Sequence, residues 1–272
     1  VIFILNSFFI KLEMTTTTYK LKSWVNPYYL NFEYLNLNKK GAGFLINYEG
    51  EINNWFSEID DDKAIDYLRK NPKKICWYYL CLNSNKNAIE LLRNYPNEIN
   101  WGNLSSNPSA MELLLNNYDK INWLTLNLNK NPEAIKLLAN NKTHINWFYL
   151  SSNPSAIELL LDNYDKINWE KLSLNPNEKA IELLKNNPSK INWSNLSKNP
   201  SAFELLINNY NNIDWTNFCH NKNPAVISYL RENPTKIDWL SLSSNPFAIN
   251  LLQENITKIK WDYLSYNEAI FD

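Results

Sequence analysis

Tryptophan stands at positions 55, 77, 101, 123, 147, 169, 193, 215, 239 and 261, at spacings that alternate between 22 and 24 residues. A period of this size means stacked copies of one supersecondary unit, because a single unit cannot bury its own apolar face. Trp101–Asn122 (WGNLSSNPSAMELLLNNYDKIN) shows the unit, and Trp147–Asn168 and Trp193–Asp214 repeat it closely. A column of small residues (Ala64, Ala88, Ala110, Ala134, Ala156, Ala180, Ala202, Val226, Ala248) precedes the next Trp by 13 residues every time. The extra pair of residues in the long unit therefore falls before that column, and the full period is 46 residues.

Each unit predicts two helices. The longer one has an Asx residue in its N-cap column (Asp61, Asn85, Asn107, Asn131, Asn153, Asn177, Asn199, Asn223, Asn245). Such a side chain accepts from the orphan N–H groups of a first helical turn. Proline follows in six of these nine units, at the helical position that needs no N–H. Asparagine recurs seven residues after the small column in eight of nine units, which suits a left-handed C-terminal stop. Ala110, Met111, Leu113 and Leu114 cover an arc of roughly 160°, wide enough to meet both a partner helix and the adjoining units. The second helix starts at Trp, after an Ile and usually a second Asx, and is one to two turns long. A β reading of Lys-Ile-Asn-Trp lacks the alternation that should follow it. The expected fold is all-α, an α-solenoid of short-helix/long-helix repeats of 22 and 24 residues. If buried, a central Trp such as Trp147 should cost about 3–5 kcal/mol on truncation.

The array is read as nine repeats over 55–260, with a partial repeat or cap at 261–272. Residues 24–54 read as a degenerate opening cap, in which Phe32 and Leu35 echo the Trp and Leu, and which holds Gly41, Gly43 and Gly50. Residues 1–23 are an extension. Val1–Ile10 is apolar but too short to span ~30 Å of hydrocarbon as a helix. It also lacks the basic leader and cleavage site of a signal peptide. Residues 1–13 are taken as upstream of a start at Met14, or else as an apolar strap on the first repeat.

A hydrophobic content of 44% with 11 Trp excludes disorder. A net charge of −1 argues against a polybasic membrane or nucleic-acid binder. Cys76, Cys81 and Cys219 are odd in number and are read as lying in unrelated registers, so no disulfide framework or metal site is expected. A reducing compartment fits that usage.

Little in the chain resembles catalytic machinery. His144 and His220 do not repeat and read as lone surface histidines. Cys219-His220 could form a nucleophile and base, but adjacent side chains diverge. Asp60-Asp61-Asp62 could hold a hard cation, or simply open a capped helix. An acidic column (Asp66, Glu90, Glu112, Glu158, Glu182, Glu204) and a lysine column (Lys74, Lys120, Lys166, Lys190, Lys236, Lys258) form two stripes. These are either a solvated, mutually paired face or a binding stripe.

The pair of residues after each Trp varies while its surroundings stay constant, so the core does not dictate it. Its members Phe56, Tyr78, Tyr79, Asn103, Thr125, Phe148, Tyr149, Lys171, Asn195, Asn217 and Ser241 are the candidate partner-binding surface. Aromatic members are of the type enriched at interaction hot spots. Alternatively Phe56, Tyr79 and Phe148 fill gaps between units.

The pattern WxxLSxNPxAIxLL, as at Trp147–Leu160, resembles the tandem repeats of proteins from giant DNA viruses infecting protists. The resemblance covers residues ~55–265. It implies a helical-repeat, loosely ankyrin-like architecture and brings no enzymatic activity or site residues with it. The TPLHxA signature of ankyrin repeats is missing. The expectation is a monomeric, non-enzymatic scaffold without cofactor or metal, binding a host or viral protein in the host cytoplasm or the virion. No membrane association is expected. A single-stranded nucleic-acid reader of one nucleotide per unit is the alternative, motivated by the lysine column and the aromatics.

Overall fold

The computed structural model describes residues 20–31, 34–35, 38, 40–41 and 62–272. Trp55, Phe56, Asp61, Gly43 and Gly50, and so part of the expected cap and first repeat, lie outside the described residues. Among them the structure is helical, apart from one isolated bridge between Leu21 and Phe271. Short Trp helices such as Trp101–Ser106, Trp123–Leu126 and Trp147–Ser151 stack on one another in chain order, with the longer helices forming a second layer. The all-α solenoid is therefore as expected, and no described helix is long and apolar enough to cross a membrane.

The two unit lengths have a visible cause. Long units carry a continuous α-helix, Pro132–Asn140, Glu178–Asn186 or Pro224–Glu232. In short units the helix starts with a 3-10 turn, Pro108–Ala110, and only Met111–Leu115 is α-helical. All eight described N-cap asparagines accept as expected; Asn131 Oδ1, for example, takes the N–H of Glu133 at 2.9 Å.

The C-terminal stop differs from expectation. Asn117, Asn141, Asn163 and Asn187 have φ between −133° and −125°, so none is left-handed. Each instead turns its side-chain amide back onto the carbonyl four residues earlier, as Asn117 Nδ2 does to Leu113 O at 2.8 Å. An Asn side chain thus satisfies one orphan carbonyl without a positive φ. A 3-10 turn that the sequence reading did not include, such as Tyr118–Lys120 or Pro188–Lys190, then leads to the next Trp helix.

The small column and the Leu three residues after Trp form the centre of the core. Ala110, Ala134, Ala156, Leu104, Leu126 and Leu150 are fully buried. The tryptophans are only partly buried and pack against this core from its edge. Trp147 is accordingly not the fully buried anchor whose loss would carry the largest cost. The described part of the expected opening cap lies on the last unit, Trp261–Asp272.

Candidate binding surface

A buried asparagine ladder runs through the whole stack, and it decides which side chains remain free. Six residues after each Trp stand Asn83, Asn107, Asn129, Asn153, Asn175, Asn199, Asn221, Asn245 and Asn267, all at most 6% exposed. Asn129 Nδ2 donates to Ser105 O at 2.9 Å and Asn107 O at 3.0 Å, both in the unit before. Every later rung repeats the pattern, and each rung's own carbonyl accepts from the next. In short units the rung is also the N-cap. In long units the two roles separate: Asn129 Oδ1 accepts from Asn131 N at 2.9 Å, and Asn131 caps the helix. The extra pair of residues is that second turn. The sequence carried the signal, because Asn is constant when units are aligned on Trp, but alignment on the alanine column hides it.

A second set of inter-unit bonds comes four residues after Trp. Ser151 Oγ donates to Trp147 O at 2.7 Å and accepts the N–H of Asn168, in the next unit, at 2.9 Å. Asn127 fills the same position, and so do Cys81 and Cys219. Those two cysteines therefore share one register, contrary to the expectation of unrelated ones. Their sulfurs accept from Asn100 N and Asp238 N, each at 3.3 Å. Burial pushes both thiols up to about 11. Cys219 is enclosed while His220 is exposed, so the adjacent pair makes no nucleophile–base dyad. His220 instead lies 3.4 Å from Ser244 Oγ, and burial lowers its pKa, with Lys198 adding to the effect.

The variable pair splits into two kinds of position. The second residue faces the neighbouring unit. Asn103 Nδ2 donates to Tyr78 O at 2.7 Å, Thr125 Oγ1 to Gly102 O at 2.6 Å, and Asn195 Nδ2 to Glu170 O at 3.0 Å. Asn217 Nδ2 reaches Ser194 Oγ at 2.7 Å. Ser241 is 1% exposed. Tyr79 and Tyr149 stand edge-on to Tyr78 and Phe148. Lys171 places its ammonium 4.5 Å from the ring centre of Phe148, one unit back, and 3.6 Å from Glu170. These second positions bind units together.

The first residue of the pair is the free one. Tyr78, Leu124, Phe148, Glu170, Ser194, Thr216, Leu240 and Asp262 are all exposed. Because the Trp helices stack, these residues form a row along one edge. Four residues further on, at helical spacing, Leu82 and Leu128 are exposed beside Tyr78 and Leu124. Tyr78, Leu82, Leu124, Leu128 and Phe148 make this half of the row apolar, with Gly102 leaving a gap among them. From Glu170 through Ser194 and Thr216 the row is polar.

Neither charged stripe presents a bare charge pattern. Lys120 and Lys166 pair with Asp119 and Asp165, Lys190 lies over Trp169, and Lys236 lies over Trp215 and Tyr210. Glu158 pairs with Lys179 of the next unit, and Glu112 with Arg93 of the unit before. His144 takes a lysine's place in the column and stacks on Trp123 at 4.3 Å. Asp62 accepts from the side-chain amides of Asn85 and Asn87, which hold its pKa below the usual carboxylate value. An open hollow of about 300 Å³ lies between Trp101, Pro96, Ile99 and Leu113. Its charged wall residue, Arg93, is already engaged by Glu112 at 3.0 Å. No cluster of three metal-ligating side chains exists among the described residues.

Fold and surface together define a class, the all-α helical-repeat solenoid. No family model, curated protein or solved structure matches the chain.

Proposed function

We propose that the protein is a non-enzymatic scaffold that binds a protein partner along the exposed edge of its Trp helices. One observation carries this reading. In the varied pair after Trp, the second residue is used between units, and the first is left to solvent in a continuous row. The apolar half, from Tyr78 to Phe148, would anchor the partner, since large apolar and aromatic groups supply most interface energy. The polar half would supply selectivity. The likeness to giant-virus repeats makes a host or viral protein in the infected cell the partner of choice. The lysine column gives no support to a nucleic-acid reader, because its members are occupied by carboxylates and aromatic rings.

The test is capture of a defined partner by the full chain, compared with Phe148→Glu and Leu124→Glu variants of unchanged helicity. Retained capture by both variants would move the site elsewhere. Binding of single-stranded oligonucleotides at low salt, where phosphate contacts are strongest, would favour the other class.

A further inference from the structure

We propose that residues 20–41 complete the unit that begins at Trp261, and so close the row of units into a ring. The bonds at this junction are those of every other junction. Asn31 N donates to Ser265 Oγ at 2.7 Å, as Asn168 N does to Ser151 Oγ. Asn38 Nδ2 donates to Ser265 O at 3.1 Å, as Asn129 Nδ2 does to Ser105 O. Tyr34 N is capped by Asn31 Oδ1, as Tyr149 N is by Asn146 Oδ1. The ring of Tyr29 lies 5.2 Å from that of Trp261, in the place where His144 covers Trp123. Asn38 is thus a rung of the ladder, six residues after Phe32 as every other rung is six after Trp.

The register agrees. Trp261–Asp272 and residues 20–31 contribute twelve residues each, together the 24 of the long unit that the alternation requires at this point. The halves are sewn by a feature found at no other described junction. Lys22 N donates to Ile270 O and Asp272 N to Lys20 O, each at 2.8 Å, with a Lys22–Asp272 ion pair at 2.6 Å. Tyr34 also stacks on Tyr266 at 4.4 Å.

Chain length argues for closure as well. The 20 residues 42–61 join Gly41 to Asp62. Fully extended they reach about 70 Å. A straight row would part the Asp62 unit from the one stacked beyond Trp261 by ten steps of ~8–10 Å, or about 80–100 Å. The row must therefore curve back on itself.

The test uses the full chain carrying Leu21→Cys, Phe271→Cys and Cys76→Ser. Leu21 and Phe271 face each other without mutual hydrogen bonds, the closely spaced kind of antiparallel pair, within reach of a disulfide. At about 1 µM protein, a tethered pair at millimolar effective concentration should crosslink within one chain in roughly a thousandfold excess over crosslinks between chains. Small-angle scattering of the unmodified protein should give a maximum dimension of about 60–70 Å for a ring of eleven units, against about 100 Å or more for an open row. Crosslinks formed only between copies, or no crosslink together with the longer dimension, would overturn the proposal. The first of these outcomes would identify a second copy as the occupant.

Discussion

The side-chain amide of Asn153 donates to Asn127 O at 3.0 Å and to Asn129 O at 2.8 Å, so one buried residue spans the whole junction between two units. Its oxygen accepts from Ser155 N at 3.1 Å, leaving little of the group's bonding capacity unused. A buried polar group satisfied in this way orders its surroundings, and its removal strands every partner at once.

Asn153→Ala should therefore destabilise the array by about 3 kcal/mol or more, from two orphaned carbonyls and one orphaned N–H. Asn131→Ala removes an N-cap at a partly exposed site and should cost about 1 kcal/mol. Urea unfolding followed by circular dichroism separates the two. Equal losses would show that the ladder contributes no more than capping does.

The core is centred on leucine rather than tryptophan. Leu150 is fully buried, whereas Trp147 packs from the edge. Leu150→Ala should cost about 3–5 kcal/mol and Trp147→Ala less, despite the larger side chain lost. Thermal midpoints of the two variants check the order.

Thiol accessibility follows from the serine-like position of two cysteines. Cys81 and Cys219 are fully buried with thiols raised to about 11, while Cys76 is partly exposed. Titration with an aromatic disulfide at pH 8 should find one reactive thiol in the folded protein and three after denaturation. Cys219→Ser should shift stability by less than about 1 kcal/mol, because Trp215 O and Asp238 N are placed as are the partners of serine in other units.

Surface changes in the two halves of the exposed row should part company. Phe148→Glu and Leu124→Glu should leave stability within about 1 kcal/mol and abolish partner capture, since exposed positions tolerate exchange. Ser194→Ala and Thr216→Ala should preserve affinity to within about threefold. Competition binding with the captured partner distinguishes the two sets.

The repeat, its helices and its caps were legible because they are local. Asn131 before Pro132, or Ala134 at a fixed distance from Trp147, needs only sequence spacing to be recognised. Inter-unit chemistry was less legible. Asn107 looked like a cap, and its second role, reaching the carbonyls of Cys81 and Asn83, depends on a neighbour 24–26 residues away. The variable pair likewise looked uniform, and only the stack shows that Asn103 faces the adjoining unit while Tyr78 does not. The contact of Asn31 with Ser265 spans 234 residues and leaves no periodic trace in the chain.

The ladder also gives the stack a direction. Every rung donates toward the preceding unit, so one end of the row presents N–H groups and the other carbonyls. Two identical ends cannot satisfy each other, and a two-fold symmetric dimer through the ends is ruled out on hydrogen-bond grounds. Association through the ends can only be head-to-tail, the geometry that either closes on itself or propagates as a filament. The contact at Ser265 is therefore the point at which this chain, by meeting its own other end, withholds from solution the one surface able to nucleate a fibre.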